Sequence, residues 1–179
     1  MGLSQVTAPK FPLVIETDRF RLRELTVNDV STRYLGWLSD SEAKKWIVTA
    51  KKTRGLADLR NYVQQRIGRE DVLFLGIFSK DGNLHIGNIK YEPVIRDEAR
   101  AEMGVLIGDP AFRGQQVFAE VLAASAAWLK THRQIRRIYL GVELENLPAV
   151  NAYRNAGFIE EPALQQIPVS RALRMVLYV

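Results

Sequence analysis

The segment from residue 101 to residue 145 restricts the fold more than any other part of the sequence. It contains an apolar run (AEMGVLIG), a turn (DPAFRGQQ), a long alanine-rich stretch (VFAEVLAASAAWLK) and a second apolar run (RRIYLGVELE). A strand, a long helix and a second strand in this order predict a parallel crossover, with both strands in one sheet and the helix packed against it. Because the first run is almost continuously apolar, we expect that strand to be central in the sheet.

The alanine-rich stretch carries apolar side chains over a wide face. Two adjacent rows at helical spacing contain Val117, Val121, Ser125 and Trp128, and Phe118, Leu122, Ala126 and Leu129. A face of this width predicts a helix that packs on a sheet.

The flanking segments predict the remaining elements. Residues 72–95 read as two antiparallel strands joined near Asp81 and Gly82, because Asp-Gly is a strong hairpin signal. Further strands are expected over 19–25 and 171–179, and further helices over 26–47, split near Gly36 and residues 39–41, over 56–68 and over 147–157. This order predicts an α/β (α+β) fold. Its central sheet is mixed and mostly antiparallel, contains one parallel strand-helix-strand unit, and carries helices on both faces.

The length and composition favour a single domain. With 179 residues, 47% of them hydrophobic, the chain can bury one core of ordinary size, whereas two domains would each be small. We interpret residues 1–18, which contain two prolines and no sustained period, as an irregular lead-in. Residues 19–179 are then expected to form the single domain.

Several classes of site and partner are disfavoured. The chain has no cysteine, which excludes disulfides and thiolate chemistry, and its two histidines are far apart, so no metal site is expected. The net charge is +5, but the only dense basic cluster is residues 132–137, so nucleic acid is not an expected partner. No apolar run approaches the ~20 residues that cross a bilayer, and no signal peptide is evident, which predicts a cytoplasmic protein without a membrane partner.

The turn before the long helix has the features of an anion site. Gly114 allows the backbone to approach a ligand closely, and the N-H groups of about Gln115 to Phe118 are the unpaired donors of the first helical turn. Arg113 adds a permanent cation with planar donors. These features favour a phosphate, although an Arg-Gly turn before a helix is also common as plain loop structure.

A second motif follows one strand later. In ENLPAVNAYRNAGF, Asn146, Val150, Tyr153 and Gly157 are spaced by four, three and four residues, so their side chains share one helix face. Together with the Arg-Gly turn, this motif resembles the GNAT superfamily of acyl-CoA-dependent N-acetyltransferases, and the similarity runs from residue 20 to residue 179. The segments RLREL, AEMGVLIGDPAFRGQ and LGVELENLPAVNAYRNAGF look most like the branch related to ribosomal-protein alanine acetyltransferases.

The resemblance implies acetyl-CoA as co-substrate, with no metal. The turn would hold its pyrophosphate, and the pantetheine arm would lie between the strand that ends near Gly108 and the strand over 138–145. The residues expected to contact acetyl-CoA are Val105, Ile107, Arg113, Gly114, Gln115, Gln116, Val117, Phe118, Asn146, Asn151 and Tyr153.

The implied reaction is direct attack of a primary amine on the thioester, the amine being a protein N-terminus or a small molecule. Tyr153 is the expected general acid to the leaving thiolate, Asn146 is expected to contact the arm or order the substrate side, and an N-H near Val105 could polarise the carbonyl. Glu102 is the first candidate for the base, because it occupies an otherwise apolar strand where relatives often carry an acid. Glu143 and water are alternatives.

Each of these residues also has a simpler interpretation. Glu102 would be solvated at the start of its strand, Asn146 would only cap the helix before Pro148, and Tyr153 would be an amphipathic core residue.

The turn also departs from the family pattern. Relatives commonly read Arg-Gly-x-Gly-x-Ala or Gly, whereas this chain has Gln116 and Phe118 at the glycine and small-residue positions. The alternative function is therefore a catalytically inactive GNAT-fold binding or regulatory module. A homodimer through an edge strand is plausible for this fold.

Overall fold

The computed structural model describes residues 13–47, 52–161 and 172–179. Their strands form one eight-stranded sheet in the order β1-β2-β3-β4-β5-β6-β8-β7. The strands are β1 (Val14–Glu16), β2 (Phe20–Glu24), β3 (Leu73–Ser79), β4 (His85–Ile95), β5 (Arg100–Ile107), β6 (Arg137–Glu143), β7 (Ile159–Glu160) and β8 (Ala172–Tyr178). β5 and β6 pair in parallel and all other neighbours pair antiparallel, which confirms the predicted mixed sheet with β5 near its centre.

Helices cover both faces of this sheet, as predicted. They are α1 (Thr32–Ser39), α2 (Ser41–Trp46), α3 (Leu56–Gln64), α4 (Val117–Arg133) and α5 (Leu147–Asn155), with short 3-10 turns at Val27–Asp29 and Pro110–Phe112. α4 contributes to one core cluster, whereas α1 and α3 contribute to a second.

Strand β3 shows how the two clusters share the sheet. Leu75 and Ile77 belong to the α4 cluster, and Phe74 belongs to the cluster of α1 and α3. All residues of β3 are buried because successive side chains point to opposite faces and both faces are covered.

The long helix α4 packs through the face that the sequence predicts. Its buried residues are Val117, Val121, Leu122, Ser125, Ala126 and Leu129. Ser125 is the polar member of this group, and its hydroxyl lies 2.8 Å from the hydroxyl of the fully buried Tyr91 on β4. The Ser125 hydroxyl also donates to the Val121 carbonyl at 2.6 Å, so the polar atoms of this contact are satisfied inside the core.

The structure differs from the sequence analysis at the N-terminal edge of the sheet. Residues 14–16, expected to be irregular, form β1, which pairs with β2. The Glu120 side chain on α4 fixes this segment, because it accepts hydrogen bonds from the Thr17 hydroxyl at 2.6 Å and from the Arg19 N-H at 2.9 Å. A three-residue strand is too short to show a period in sequence. Residues 1–12 of the predicted lead-in lie outside the described residues.

Smaller differences concern where helices end. The helical segment 26–47 is interrupted at Asp40, which has extended dihedral angles, whereas Gly36 stays inside α1. α3 ends at Gln64, before the turn that contains Gly68. The two-residue strand β7 was not expected.

The pairing of β5 with β6 is short. Arg100, Ala101 and Glu102 pair with Arg137, Ile138 and Tyr139, and no pairing follows between the two strands. β5 continues to Ile107 and β6 continues to Glu143, where β6 stays paired with β8. The strands therefore diverge toward their carboxyl ends, and we call the gap between residues 103–107 and residues 140–143 the splay.

Gly108, at the open end of the splay, provides a test of this packing. A Cβ at this position would clash with the Trp37 indole. A Cβ at Gly36, on the exposed side of α1, would meet no atom within 4 Å. We expect Gly108→Ala to lower the free energy of unfolding by about 1–3 kcal/mol through overpacking. The control Gly36→Ala should raise it by up to about 1 kcal/mol through helix propensity. Urea denaturation of both variants checks the prediction, and equal stability of the two would contradict it.

Candidate active site

The edge of β5 that faces the splay carries unpaired backbone groups. The Ala99 carbonyl accepts from the N-H groups of Arg136 and Arg137, on the side of β6, whereas the Gly108 N-H donates to Ile86 on the side of β4. Backbone groups of alternate residues point to opposite edges of a strand, so the N-H and C=O groups of residues 103, 105 and 107 face the splay. Of these groups, the Ile107 carbonyl accepts a side-chain hydrogen bond from Arg113. Val105 and Ile107, predicted to contact the cofactor, therefore lie on this edge.

The turn between β5 and α4 has two residues in the left-handed region. Gly114 has φ +73°, and Gln116 has φ +58° immediately before the helical residue Val117. A left-handed residue followed by a right-handed one directs successive N-H groups into one concavity. The Glu120 N-H is the first of the helix to donate to a carbonyl, that of Gln116 at 3.3 Å. The N-H groups of residues 117–119 precede it and are the unpaired donors of the first helical turn.

Arg113 holds this turn against the end of β5. Its Nε donates to the Ile107 carbonyl at 3.1 Å, and its Nη2 donates to the Gly108 carbonyl at 3.0 Å. The guanidinium is thus bound to the backbone, and its charge stays beside the turn. Sequence reasoning did not foresee these partners, and a role for Arg113 at the anion site stays a prediction.

A second arginine holds the turn from the opposite side. Arg19, just before β2, donates through Nη2 to the Gln115 carbonyl at 3.0 Å and through Nε to Glu120 at 2.7 Å. Sequence reasoning missed Arg19 and Glu120. The only signal was the carboxylate in the first turn of α4, a position that acidic residues favour in any helix.

Phe118 on α4 and Tyr153 on α5 are in contact. Their rings make an edge-to-face contact with centroids 5.3 Å apart, and Tyr153 makes a second such contact with Phe158 at 5.8 Å. The large ring at position 118 is therefore accommodated between the helices. Burial raises the pKa of Tyr153 to about 12, so its phenol keeps its proton at neutral pH. Within the described part of the chain the hydroxyl has no hydrogen-bond partner.

Asn146 caps α5. Its side-chain oxygen accepts from the Ala149 N-H at 3.4 Å, and Pro148 occupies the first turn, so Asn146 caps this helix. This hydrogen bond leaves the side-chain NH2 available for other contacts. Asn151, on the same helix, is exposed.

Glu102 lies at the closed end of the splay and is the last β5 residue that pairs with β6. Both of its carboxylate oxygens accept hydrogen bonds from Arg174 on β8, with Nη1 2.7 Å from Oε2. Arg100 contributes a further contact at 3.5 Å. Arg174 is thus an ion-pair partner of Glu102 that the sequence did not reveal. Glu143, the alternative candidate for the base, is exposed at the carboxyl end of β6.

The topology brings most of the predicted residues to the open end of the splay. α4 begins after β5 and α5 begins after β6, so the turn, Phe118, Asn146 and Tyr153 follow the two diverging strands. Among the residues that the structure describes, no group of three or more histidine or acidic side chains is placed to bind a metal ion. No described helix is both long enough and apolar enough to span a membrane.

This arrangement matches a known family. A family model for the acetyltransferase (GNAT) domain matches residues 19–159. The chain belongs to the GNAT acetyltransferase family. No curated protein sequence matches the chain.

Solved GNAT structures share the fold of this chain at low sequence identity. RimL, a ribosomal L7/L12 alpha-N-protein acetyltransferase in complex with coenzyme A, has a TM-score of 0.82 and 17% identity, over 93% of this chain and 98% of that one. The microcin C7 self-immunity acetyltransferase MccE, in complex with acetyl-CoA and AMP, has a TM-score of 0.77 and 14% identity, over 90% and 93%. The ribosomal-protein-S5-alanine acetyltransferase from Vibrio fischeri has a TM-score of 0.74 and 13% identity, over 93% and 96%.

The left-handed conformation of Gln116 provides a second test. This conformation costs a side-chain-bearing residue ~1–2 kcal/mol, and the greater freedom of glycine in the unfolded chain offsets part of any gain. We expect Gln116→Gly to raise the free energy of unfolding by roughly 0.5–1 kcal/mol.

Gln134 is the matched control, since it has φ +56° at the opposite end of α4. Its side chain accepts one exposed hydrogen bond from Arg96, so Gln134→Gly should gain slightly less. Thermal and urea denaturation measure both changes. A loss of stability in Gln116→Gly would show that the Gln116 side chain holds the turn.

Proposed function

We propose that the protein transfers the acetyl group of acetyl-CoA to a primary amine by direct attack of the amine on the thioester. The observation that carries this proposal is a turn rich in unpaired N-H donors at the open end of a splay whose β5 edge has unpaired backbone groups. Membership of the GNAT family supports the same reaction type. The acceptor is a protein N-terminus or a small-molecule amine.

The pyrophosphate of acetyl-CoA fits the turn. The N-H groups of residues 117–119 supply donors at a helix N-terminus, where anions are favoured. Arg113, although bound to backbone carbonyls, keeps its positive charge beside the turn. Arg19 binds the Glu120 carboxylate and so offsets the negative charge in the first turn of α4. Gln116 does not block this site, because its side chain is exposed and its backbone conformation directs the N-H groups together.

The pantetheine arm fits the splay. Its amide groups can pair with the Val105 carbonyl and the Ile107 N-H, as an added strand pairs with a sheet edge. Asn146 and Asn151 on α5 then lie on the other side of the arm, with the free amide of Asn146 as a donor. RimL was solved with coenzyme A and MccE with acetyl-CoA, which supports the ability of this fold to bind the cofactor.

Two groups of the chain are suited to the acyl transfer itself. The Val105 N-H faces the splay and can stabilise the negative charge that develops on the thioester oxygen. Tyr153 carries its proton throughout the working pH range, because burial raises its pKa to about 12, and it can donate that proton toward the leaving thiolate.

The amine must also lose a proton before or during attack. Glu102 remains the first candidate to accept it, with Glu143 and water as alternatives. In the structure Arg174 holds both oxygens of Glu102, so a role for Glu102 requires the proton to reach it through water or through a shift of that ion pair.

The non-catalytic alternative rests on Gln116 and Phe118, and both residues are accommodated. Gln116 adopts the conformation that the turn needs, and Phe118 packs against Tyr153. The cytoplasmic location and the homodimer stay predictions.

Calorimetric titration with acetyl-CoA tests the proposed function first. We expect a Kd in the micromolar range, about −8 kcal/mol of binding free energy. The variant Gln134→Gly should bind equally well, because Gln134 lies at the other end of α4. Absence of binding at millimolar acetyl-CoA would overturn the proposal.

The role of Tyr153 has its own test. We expect Tyr153→Phe to lower kcat by at least about tenfold, with the Kd for acetyl-CoA changed less than about twofold, because the hydroxyl acts on the leaving thiolate rather than in cofactor binding. Tyr178→Phe is the control, since Tyr178 is exposed at the end of β8. Steady-state kinetics with detection of the released thiol measure both variants. An unchanged kcat in Tyr153→Phe would remove the residue from the acid role.

A further inference from the structure

In the described part of the chain, one face of the sheet is open over the splay. Leu106 packs against the cluster of α1 and α3, so the even-numbered residues of β5, including Glu102 and Gly104, point to that face. On β6 the same face carries Tyr139, which lies under the Arg174 guanidinium that binds Glu102, and Gly141 two residues later. Gly104 and Gly141 are exposed, and a Cβ at either would meet no atom within 4 Å. An acceptor can therefore reach the splay across two bare glycines.

A polar pocket of about 460 Å³ borders this open face. We call it the α3 pocket. Its walls are polar and charged side chains, among them Lys52, Asp58, Asn61, Tyr62, Arg66 and Lys90. Lys90 stands on β4 directly opposite Gly104, so the pocket lies one strand away from the bare part of β5.

The bonds inside the α3 pocket leave donors unused. Lys90 Nζ donates to the Tyr62 hydroxyl at 2.7 Å and to Glu92 at 2.6 Å, so the Tyr62 oxygen is an acceptor and its own O-H is left to donate. Arg66 donates through Nε to Glu92 and through Nη1 to the Tyr62 carbonyl, both at 2.8 Å. The guanidinium also stacks on the Tyr62 ring, 3.6 Å from its centroid. Among the described residues, none accepts a hydrogen bond from its Nη2 or from the third N-H of Lys90.

The α3 pocket carries a net positive charge. Lys52, Arg66 and Lys90 line it against one acid, Asp58, whose carboxylate already accepts the Arg54 N-H at 2.9 Å. Glu92 lies behind the pocket and neutralises part of the charge, which leaves an excess of one cation. Cationic side chains with free N-H groups recognise carboxylate and phosphate oxygens through charge-assisted hydrogen bonds.

We propose that the α3 pocket binds a carboxylate or phosphate group of the acceptor, so that the enzyme prefers amines with an anionic group a few bonds from the nitrogen. The inference rests on the proposed acetyl transfer and specifies its substrate class. Adjacent strands lie ~4.8 Å apart. An anion held at Lys90 is therefore close enough for the attached amine to extend over Gly104 to the splay.

The test is a titration of the full chain with product-like ligands, followed by heteronuclear NMR. The chain is first saturated with CoA, which fills the turn that would otherwise bind anions. The ligands are N-acetyl-β-alanine, N-acetyl-aminoethyl phosphate and the neutral N-acetyl-β-alaninamide. We expect at least one anionic ligand to bind about tenfold more tightly than the neutral amide, with shifts at Tyr62 and Lys90.

Two variants distinguish a lining cation that binds the ligand from a cation that only forms an ion pair with Glu92. Lys90→Gln removes a lining cation, and we expect it to reduce the preference for the anionic ligand to less than about threefold. Arg69→Gln is the control, because Arg69 binds the same Glu92 at 3.2 Å but does not line the pocket. It should keep the full preference. Lys52→Gln, at an exposed lining position, provides a second lining variant if Lys90→Gln is poorly folded.

Three results would overturn the proposal: equal affinity for anionic and neutral ligands, an unchanged preference in both lining variants, or no binding of either anion at tens of millimolar. None of these measurements requires turnover. A chain that binds the anionic ligands as expected but fails to transfer acetyl groups would therefore contradict the proposed function separately from this titration.

Discussion

The early end of the β5–β6 pairing is the constraint on which the rest of the site depends. Three residue pairs join the two parallel strands. Beyond Glu102 the strands separate, although both continue. Unpaired backbone N-H and C=O groups inside a protein cost free energy unless a ligand or water forms hydrogen bonds with them. A ligand that carries amide groups can form these hydrogen bonds in the gap. The pair of Glu102 with Arg174 spans β5, β6 and β8 at the closed end. It fixes the point from which the strands diverge.

The two faces and the open end of the splay have separate tasks. The turn and α4 supply N-H donors and positive charge at the open end of the splay, and α5 packs beside β6. The opposite face is bare over Gly104 and Gly141 and borders the α3 pocket. A cofactor and an acceptor can thus approach the same backbone edge from different directions, which is what direct transfer without a covalent enzyme intermediate requires.

The features that sequence predicted are those with local or periodic signals. The Asp-Gly hairpin, the wide apolar face of α4 and the crossover from β5 to β6 all follow from patterns within a few dozen residues. The partners of the site residues do not, because they are distant in sequence and leave no period: Arg174 is 72 residues from Glu102, and Thr17 is 103 residues from Glu120. The carboxylate of Glu102 was noticed for its unusual place in an apolar strand, and only the tertiary fold reveals the cation that binds it.

The contacts of Glu120 link the segment between β1 and β2 to the turn. Its carboxylate binds Thr17 and Arg19, and Arg19 in turn binds the Gln115 carbonyl, so the segment between β1 and β2 and the anion-binding turn share one set of hydrogen bonds. We therefore expect a ligand that orders the turn to order this segment as well. Such a ligand would couple its own binding to the hydrogen-exchange protection of the N-terminal edge strand.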